Sequence, residues 1–194
     1  MKAVEWEEAM NFEEEINLAG ARGLYCGLCP RYQSKAPSRC LGCQLGENHN
    51  YCSVWRCAVK KHGLVTCAQC EEFPCDKLVH LLGVQPDGTT WDSFLTHRPA
   101  IPNLKMQREL GLEGWLGQQH PRRLLAEELI ENYNDGRSMT FYCTACALMP
   151  LVLIEKVISR MKEGGRGGPA EMKTLIRDAA AKANIDLKLR KKIS

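Results

Sequence analysis

The sequence predicts a mainly α-helical protein with an irregular, metal-stapled N-terminal half packed against a small helical module. Three observations carry this prediction. Nine cysteines crowd the fifty residues from Cys26 to Cys75, proline and glycine interrupt the same stretch, and apolar residues at helical spacing dominate the chain after residue 90. We therefore divide the chain into an N-terminal amphipathic helix (1–20), a cysteine-rich metal-binding segment (21–83), a helical module (84–161), and a linker with a basic C-terminal helix (162–194).

The composition is that of an ordinary globular protein. Hydrophobic residues make up 44% of the chain and charged residues 25%, and no run of apolar residues is long enough to span a membrane. The first twenty residues contain six glutamates and lack the basic and apolar regions of a secretory signal. We therefore expect a cytoplasmic protein with no membrane association, in a compartment where thiols stay reduced.

The pattern of the cysteines indicates metal ligands rather than disulfides. Three pairs have two residues between the thiols, a spacing that lets a tight turn aim both sulfurs at one ion. The total of eleven cysteines is odd, so complete disulfide pairing cannot use them all. The predicted metal ligands are Cys26, Cys29, Cys40, Cys43, Cys52, Cys57, Cys67, Cys70 and Cys75.

Zinc is the metal that this ligand set favours. A structural zinc site takes four soft ligands in a tetrahedron, so nine thiols supply about two ions with one thiol left over. The order of the cysteines along the chain does not decide which of them share an ion. An iron–sulfur cluster is the alternative, because it uses the same thiolates and Cys29-Pro30 resembles the end of a ferredoxin motif. The compact ferredoxin run needs a further cysteine where Tyr32 stands, which favours zinc.

The charge of the cysteine-rich segment does not by itself indicate nucleic-acid binding. Residues 21–83 contain eight lysines or arginines and four acidic residues, a net charge of +4. Two zinc ions, each held by four thiolates, would cancel that charge. Basic and aromatic residues do alternate in this segment, as in nucleic-acid binders, but the overall pI of about 8.3 is modest for that class. A protein partner is therefore favoured over nucleic acid.

Helix signals recur along the first half of the chain. We expect an amphipathic helix over 5–19 with its glutamates opposite the apolar face, and a helix from Ser53, as N-cap, to His62. Asp76 is expected to cap a helix that runs to Leu82. Two further short helices are predicted, one capped by Thr90 and carrying Trp91, Phe94 and Leu95, the other capped by Asn103 and closed by Gly111.

The second half has stronger helical periodicity. An apolar stripe predicts a helix that ends near Asn134-Asp-Gly136, and Ser138 is expected to cap the apolar helix 139–149. Pro150 suits the first turn of the next helix, and a glycine-rich linker over 164–169 precedes the last one. The stripe residues expected to face the apolar core are Leu125, Leu129, Ile130, Tyr133, Leu151, Ile154, Ile158, Met161, Met172, Leu175, Ile176, Ala179 and Ala183. The tail after Ile185 fits both helical and extended patterns.

No catalytic residues are predicted. Cys143-x2-Cys146 is the one pattern with redox potential, but its core-like neighbours favour cysteines that act as small buried hydrophobes. A dithiol or iron–sulfur redox protein remains the alternative function. His49, His62 and His80 lie in or near the cysteine-rich segment, and we expect them to be solvated because thiols are in surplus.

The cysteine motifs resemble those of a known family. Cys-Gly-Leu-Cys-Pro, Cys-x-Gly-Cys, Tyr-Cys-x4-Cys-Ala and Cys-x2-Cys-Glu-Glu-Phe-Pro-Cys are similar to an uncharacterised family of cysteine-rich bacterial and archaeal proteins, known only as a domain of unknown function. The resemblance extends to Asp135-Gly-Arg-Ser-x2-Phe-Tyr-Cys143. It implies that the cysteines bind metal, usually taken to be zinc, and it implies no activity. The function expected here is that of a metal-binding scaffold or binding module of unknown biological role.

Overall fold

A computed structural model describes residues 10–45, 49, 51–85, 87–164 and 167–191 of the protein. Within these ranges the chain forms short 3₁₀ turns, two isolated β-bridges and eight α-helices, so the mainly α fold is confirmed. None of the helices in these ranges has the length and apolar character needed to cross a membrane. The helices are α1 (Phe12–Glu15), α2 (Pro30–Gln33), α3 (Ser53–Trp55), α4 (Asp76–Leu82), α5 (Ala100–Tyr133), α6 (Met139–Leu148), α7 (Leu151–Glu163) and α8 (Pro169–Lys182).

The N-terminal helix is shorter than the sequence predicted. Residues 5–9 of the predicted helix lie outside the described residues, and from Phe12 onward the chain makes one α-helical turn and then a 3₁₀ turn over Ile16–Leu18. Glu15, predicted to face solvent, is only 2% exposed. It is buried because a tyrosine, a histidine and an arginine from other parts of the chain bind its carboxylate. These contacts tie α1 to the rest of the protein.

The helix predicted over 53–62 forms, with a different cap and a different winding. Cys52, not Ser53, is the N-cap, and its sulfur accepts a hydrogen bond from the Trp55 backbone N–H at 3.4 Å. The helix then widens to π-helical winding over Arg56–Lys61. Asp76 likewise stands in the first turn of α4 rather than at its cap, where Cys75 lies. In both cases a cysteine occupies the boundary at which a polar cap was expected.

The helix predicted after Thr90 does not form. Residues 91–98 make an irregular loop organised by the buried carboxylate of Asp92. That carboxylate accepts hydrogen bonds from the His97 backbone N–H at 2.7 Å and from the Thr96 hydroxyl at 3.1 Å. The Asp92 backbone N–H donates to the carbonyl of Arg190, whose own N–H returns to the Asp92 carboxylate. The loop thus exchanges helical hydrogen bonds for side-chain bonds, and the C-terminal tail is fixed to it as irregular chain.

α5 merges the helix predicted before Gly111 with the long one predicted after it. It begins at Ala100 rather than at the expected cap Asn103, whose buried side chain instead donates to the Gly23 carbonyl at 2.9 Å. Gly111 has φ 76° and ψ 167°, which interrupts the helix where the sequence predicted its end. The first three turns of α5 therefore belong with the cysteine-rich segment, and the turns after the break belong with the other long helices.

The large apolar core lies between the second part of α5 and helices α6, α7 and α8. Its fully buried members come from each of these helices and include Trp115, Leu129, Tyr142, Ile154 and Met172. The helical stripes predicted in this half of the chain are confirmed here, although Tyr133, Leu151, Leu175 and Ala179 pack at the edge of the core rather than inside it. Ala183 was predicted to face the core and is exposed, because the last helix ends at Lys182. Four residues of the 18–28 stretch join the same core: Leu18, Ala19, Tyr25 and Leu28.

A second, smaller apolar core lies beneath the cysteine-rich segment. Leu78 and Leu82 of α4 are fully buried there against Val54 of α3 and Leu104 of α5. The segment therefore has more apolar support than its sequence indicated, and that support comes largely from the start of α5. This core is where the cysteine-rich segment meets the helical part of the protein.

Arg122 closes the C-terminal end of α6 from the neighbouring α5. Its Nη1 atom donates to the carbonyls of Cys146 and Met149, each at 2.7 Å, which are acceptors left free at the helix end. We expect Arg122→Met, which keeps much of the apolar stem, to lower the free energy of unfolding by about 1.5–3 kcal/mol, the usual contribution of a charged hydrogen bond. Urea denaturation measures this loss. Arg137→Met, at an exposed position, is the control, and equal stability of the two variants would contradict the role of Arg122.

Candidate metal centre

The first two cysteines stand on one tight turn. Cys26–Leu28 form a 3₁₀ turn closed by a hydrogen bond from the Cys29 N–H to the Cys26 carbonyl at 2.9 Å. α2 then begins at Pro30, and the backbone N–H groups of Tyr32 and Arg31 act to lower the pKa of the Cys29 thiol. Burial nevertheless raises the pKa of the Cys29 thiol. The turn therefore presents two sulfurs next to the N-terminal end of α2.

The next pair is held against the first by a single glutamine and a glycine. The Gln44 amide donates to the carbonyls of Ala19 and Val65, at 2.8 and 2.9 Å. Gly42 has φ 110°, and a Cβ at this position would lie 2.6 Å from the Asn17 carbonyl oxygen, so only glycine fits. This anchoring brings Cys43 into hydrogen-bond contact with Cys26.

The electrostatics of this first group join four cysteines and one histidine. The hydrogen bond from Cys26 lowers the pKa of the Cys43 thiol, and His49 lowers it further, whereas the same contact and burial raise the pKa of Cys26. The Nε2 atom of His49 lies 3.6 Å from the Cys40 sulfur. Hydrogen bonding to Cys43 raises the pKa of His49 to about 9. The charge of Cys40 in turn acts on Cys29, so all four cysteines of this group are neighbours.

The other five cysteines form a second group. Cys67 and Cys70 stand on another 3₁₀ turn of the same kind, with the Cys70 N–H bonded to the Cys67 carbonyl at 3.2 Å. Burial raises the pKa of Cys67 to about 12, and the charges of Cys75, Cys70, Cys57 and Cys52 add to that rise. Four of these cysteines, all except Cys52, line one cleft of about 330 Å³. The π-helical segment after α3, the 3₁₀ turn and the start of α4 thus bring their thiols to one place.

The nine predicted ligands therefore lie in two neighbourhoods. Cys52 stands between them, because its charge acts on Cys67 while it lines the cleft of the first group. Within the described residues, the side chains form no group of three or more His, Cys, Asp or Glu residues that could hold a metal ion as they stand. All eleven cysteines are free thiols. The donor type fits zinc or an iron–sulfur cluster, and each of the two 3₁₀ turns carries two thiols at the two-residue spacing typical of zinc sites.

One of the comparisons with known proteins finds a match to this part of the chain. Residues 18–80 match the family model described as "Protein of unknown function (DUF3795)". The match contains all nine cysteines of the two groups, so the resemblance to an uncharacterised family is confirmed over this segment. It ends before the Asp135–Cys143 stretch, to which the sequence resemblance extended. No curated protein matches the chain. No solved structure matches it either.

Cys143 and Cys146 belong to neither group, although the charge of Cys29 acts on Cys143. They lie inside α6, 2% and 0% exposed, and belong to the large apolar core. Burial raises the pKa of Cys143 well above its usual value and that of Cys146 to about 12. Neutral thiols in an apolar core are poor nucleophiles, so these residues have the environment of small hydrophobic side chains.

His49 lies against the thiols of the first group, which the sequence did not predict. It was expected to be solvated, like His62 and His80, and those two are indeed exposed. His49 instead is half-buried against Cys40 and Cys43. The signal in the sequence was its position between Cys43 and Cys52, inside the cysteine pattern rather than beside it. A histidine there is a candidate fifth donor for the first group.

Proposed function

We propose that residues 21–83 bind two zinc ions that hold this half of the protein together. Cys26, Cys29, Cys40 and Cys43 would hold the first ion. The second would be held by four of the remaining five cysteines: Cys52, Cys57, Cys67, Cys70 and Cys75. The observation that supports this proposal is the division of nine thiols into two spatial groups of four and five, each spread over separate elements of the chain.

The role of the zinc ions would be structural. A closed zinc site contributes folding free energy by cross-linking its ligands, and here each ion would join turns that lie far apart in sequence. Gln44 and the backbone donors to Cys29 would orient thiolates of the first site. His49 would donate a hydrogen bond to the first site or replace one of its sulfurs. The surplus thiol of the second group would remain a neutral neighbour.

We propose that the metal-stapled segment serves as a binding or scaffold module with a protein partner, in the reducing environment of the cytoplasm. The free state of all eleven thiols supports a reducing compartment. Leu41 and Leu45 support a contact surface, because both are more than half exposed beside the first group of thiols. A protein partner would cover these side chains.

Metal analysis of the purified protein and of matched cysteine variants tests the proposal. We expect a colourless protein with about two zinc ions. Cys26→Ser/Cys43→Ser should lose one ion, and Cys67→Ser/Cys70→Ser should lose the other. Cys143→Ala/Cys146→Ala is the control and should retain both, because these thiols belong to the apolar core. A brown protein with iron and acid-labile sulfide would overturn the zinc assignment in favour of an iron–sulfur protein.

A further inference from the structure

A large cleft lies over the first group of thiols. Its volume is about 730 Å³, within the range of about 300–1,000 Å³ that is typical of small-molecule sites. Cys26, Cys29, Cys40 and Cys43 form part of its wall together with Cys52 of the second group, and the irregular loop that carries Phe94 forms another part. Four thiols need only one side of a space of this size, so a metal ion among them would leave room for a ligand.

Positive charge dominates the cleft outside the thiols. Arg22, Arg31 and Arg39 line it, and among its described lining residues there is no aspartate or glutamate. Unlike Arg98 and Arg123, which pair with buried carboxylates, the three cleft arginines form no ion pair within the described part of the chain. A zinc ion with four thiolates carries about −2, which is less than the charge of the three arginines. The cleft would therefore attract an anion even with the metal bound.

Flat aromatic surfaces accompany the arginines. The Arg31 guanidinium lies over the Phe94 ring, 5.1 Å from its centre, and the Arg39 guanidinium lies 5.9 Å from the centre of the Tyr32 ring. Tyr51, at the edge of the cleft, is 91% exposed. Exposed rings and stacked guanidinium planes are the surfaces on which a nucleobase stacks. Phosphate and base recognition are thus combined in one cleft.

We propose that this cleft binds a nucleotide, with its phosphate held by the three arginines and its base stacked on Tyr51 or Phe94. This charge pattern is local, which is why the modest net charge of the chain did not indicate it. The inference rests on the proposed function only in that metal would hold the thiol-bearing wall in place. A free mononucleotide and the nucleotide units of a single strand share this chemistry.

Calorimetric titration of the zinc-loaded full chain with adenosine monophosphate, adenosine and inorganic phosphate tests the inference. The monophosphate should bind more tightly than either part alone. Arg31→Gln/Arg39→Gln should weaken its binding about 10- to 100-fold, because charged hydrogen bonds to phosphate are lost. Tyr51→Ala/Phe94→Ala should weaken it about 5- to 100-fold through lost stacking. Lys60→Gln/Lys61→Gln, which removes two charges outside the cleft, is the control and should bind as the parent protein does.

A six-nucleotide single strand distinguishes the two sources of the ligand. Equal affinity for strand and monophosphate assigns the cleft to a free nucleotide, and at least tenfold tighter binding of the strand assigns it to single-stranded nucleic acid; both support the shared chemistry. Absence of binding at millimolar monophosphate, or binding that the cleft variants leave unchanged, overturns the inference. Zinc content is measured on the parent protein and on every variant. A parent protein that holds no zinc and still binds the monophosphate would contradict the proposed function alone.

Discussion

Removal of zinc from the reduced protein is expected to unfold residues 21–83 while the helices after Gly111 persist. A structural zinc site contributes about 10–16 kcal/mol to folding, far more than any single side chain of the small core beneath the segment. The helices after the break bury a large core of their own, to which the proposed metal ligands contribute only an edge contact from Cys26. Loss of metal should therefore separate the protein into an unfolded part and a folded part.

The boundary between the part that unfolds and the part that stays folded is expected at Gly111, within α5. Leu104, in the first part of α5, belongs to the small core, so Ala100–Leu110 should lose protection together with the cysteine-rich segment. Leu112–Tyr133 should stay protected, because the hydrogen-bond ladder is already interrupted at Gly111. Tyr25 and Leu28 join the large core and should show the smallest loss within the segment.

Hydrogen exchange on chelated, reduced protein measures the loss of protection at each residue. α7 and α8 serve as the internal control, since their exchange should not change. Restoring zinc should restore protection, which separates metal loss from irreversible damage. Full protection of residues 21–83 after complete removal of metal would show that the two apolar cores alone support the segment, and it would contradict a structural role for the metal.

Glu15→Ala is expected to destabilise the zinc-loaded protein by about 3–5 kcal/mol, the usual cost of removing one partner of a buried ion pair. The Glu15 carboxylate accepts hydrogen bonds from the Tyr25 hydroxyl and from Arg123 Nη2, the latter at 2.8 Å, and contacts His120 Nδ1 at 2.7 Å. His120 and Arg123 lie on α5, and Tyr25 precedes the first metal-site turn. Without the carboxylate, three polar groups in a largely buried place lose their common partner.

Denaturation of zinc-loaded variants in urea measures this loss. Glu14→Ala is the matched control, one residue away on an exposed side chain, and should change the stability by no more than about 0.5 kcal/mol. Arg123→Met added to Glu15→Ala should recover part of the loss, because it removes the positive charge left without its buried partner. A loss of unfolding free energy below about 1 kcal/mol for Glu15→Ala, with zinc content unchanged, would contradict this prediction. It would show that water replaces the carboxylate and that the contacts of Glu15 do not stabilise the protein.

Much of the helical architecture could be predicted because its signals are local. The break at Gly111, the end of α4 before Gly83 and the start of α7 after Pro150 each depend on the backbone preferences of one residue. The apolar stripes of the later helices follow from spacing alone. The concentration of cysteines that predicts metal binding is likewise visible without any fold, since it depends on residue type and separation.

The errors fall where a side chain bonds to a distant part of the chain. Thr90 and its neighbours have a helical pattern, but Asp92 bonds instead to the Arg190 backbone, almost a hundred residues away. Glu15 has the pattern of a solvent-facing residue and is buried by partners on α5. The conformational preferences of neighbouring residues do not predict such partners, because these hydrogen bonds form only when the chain has folded.

The sequence by itself determined that this is a helical protein with a thiol-rich segment suited to metal. Only the tertiary structure decided how the thiols divide, that His49 lies against Cys40 and Cys43, and that three arginines meet at one cleft beside them. The physical reason is that residue type and spacing fix what a segment can do locally. Which donors converge depends on the packing of turns onto a shared core, and that packing is set by contacts distant in sequence.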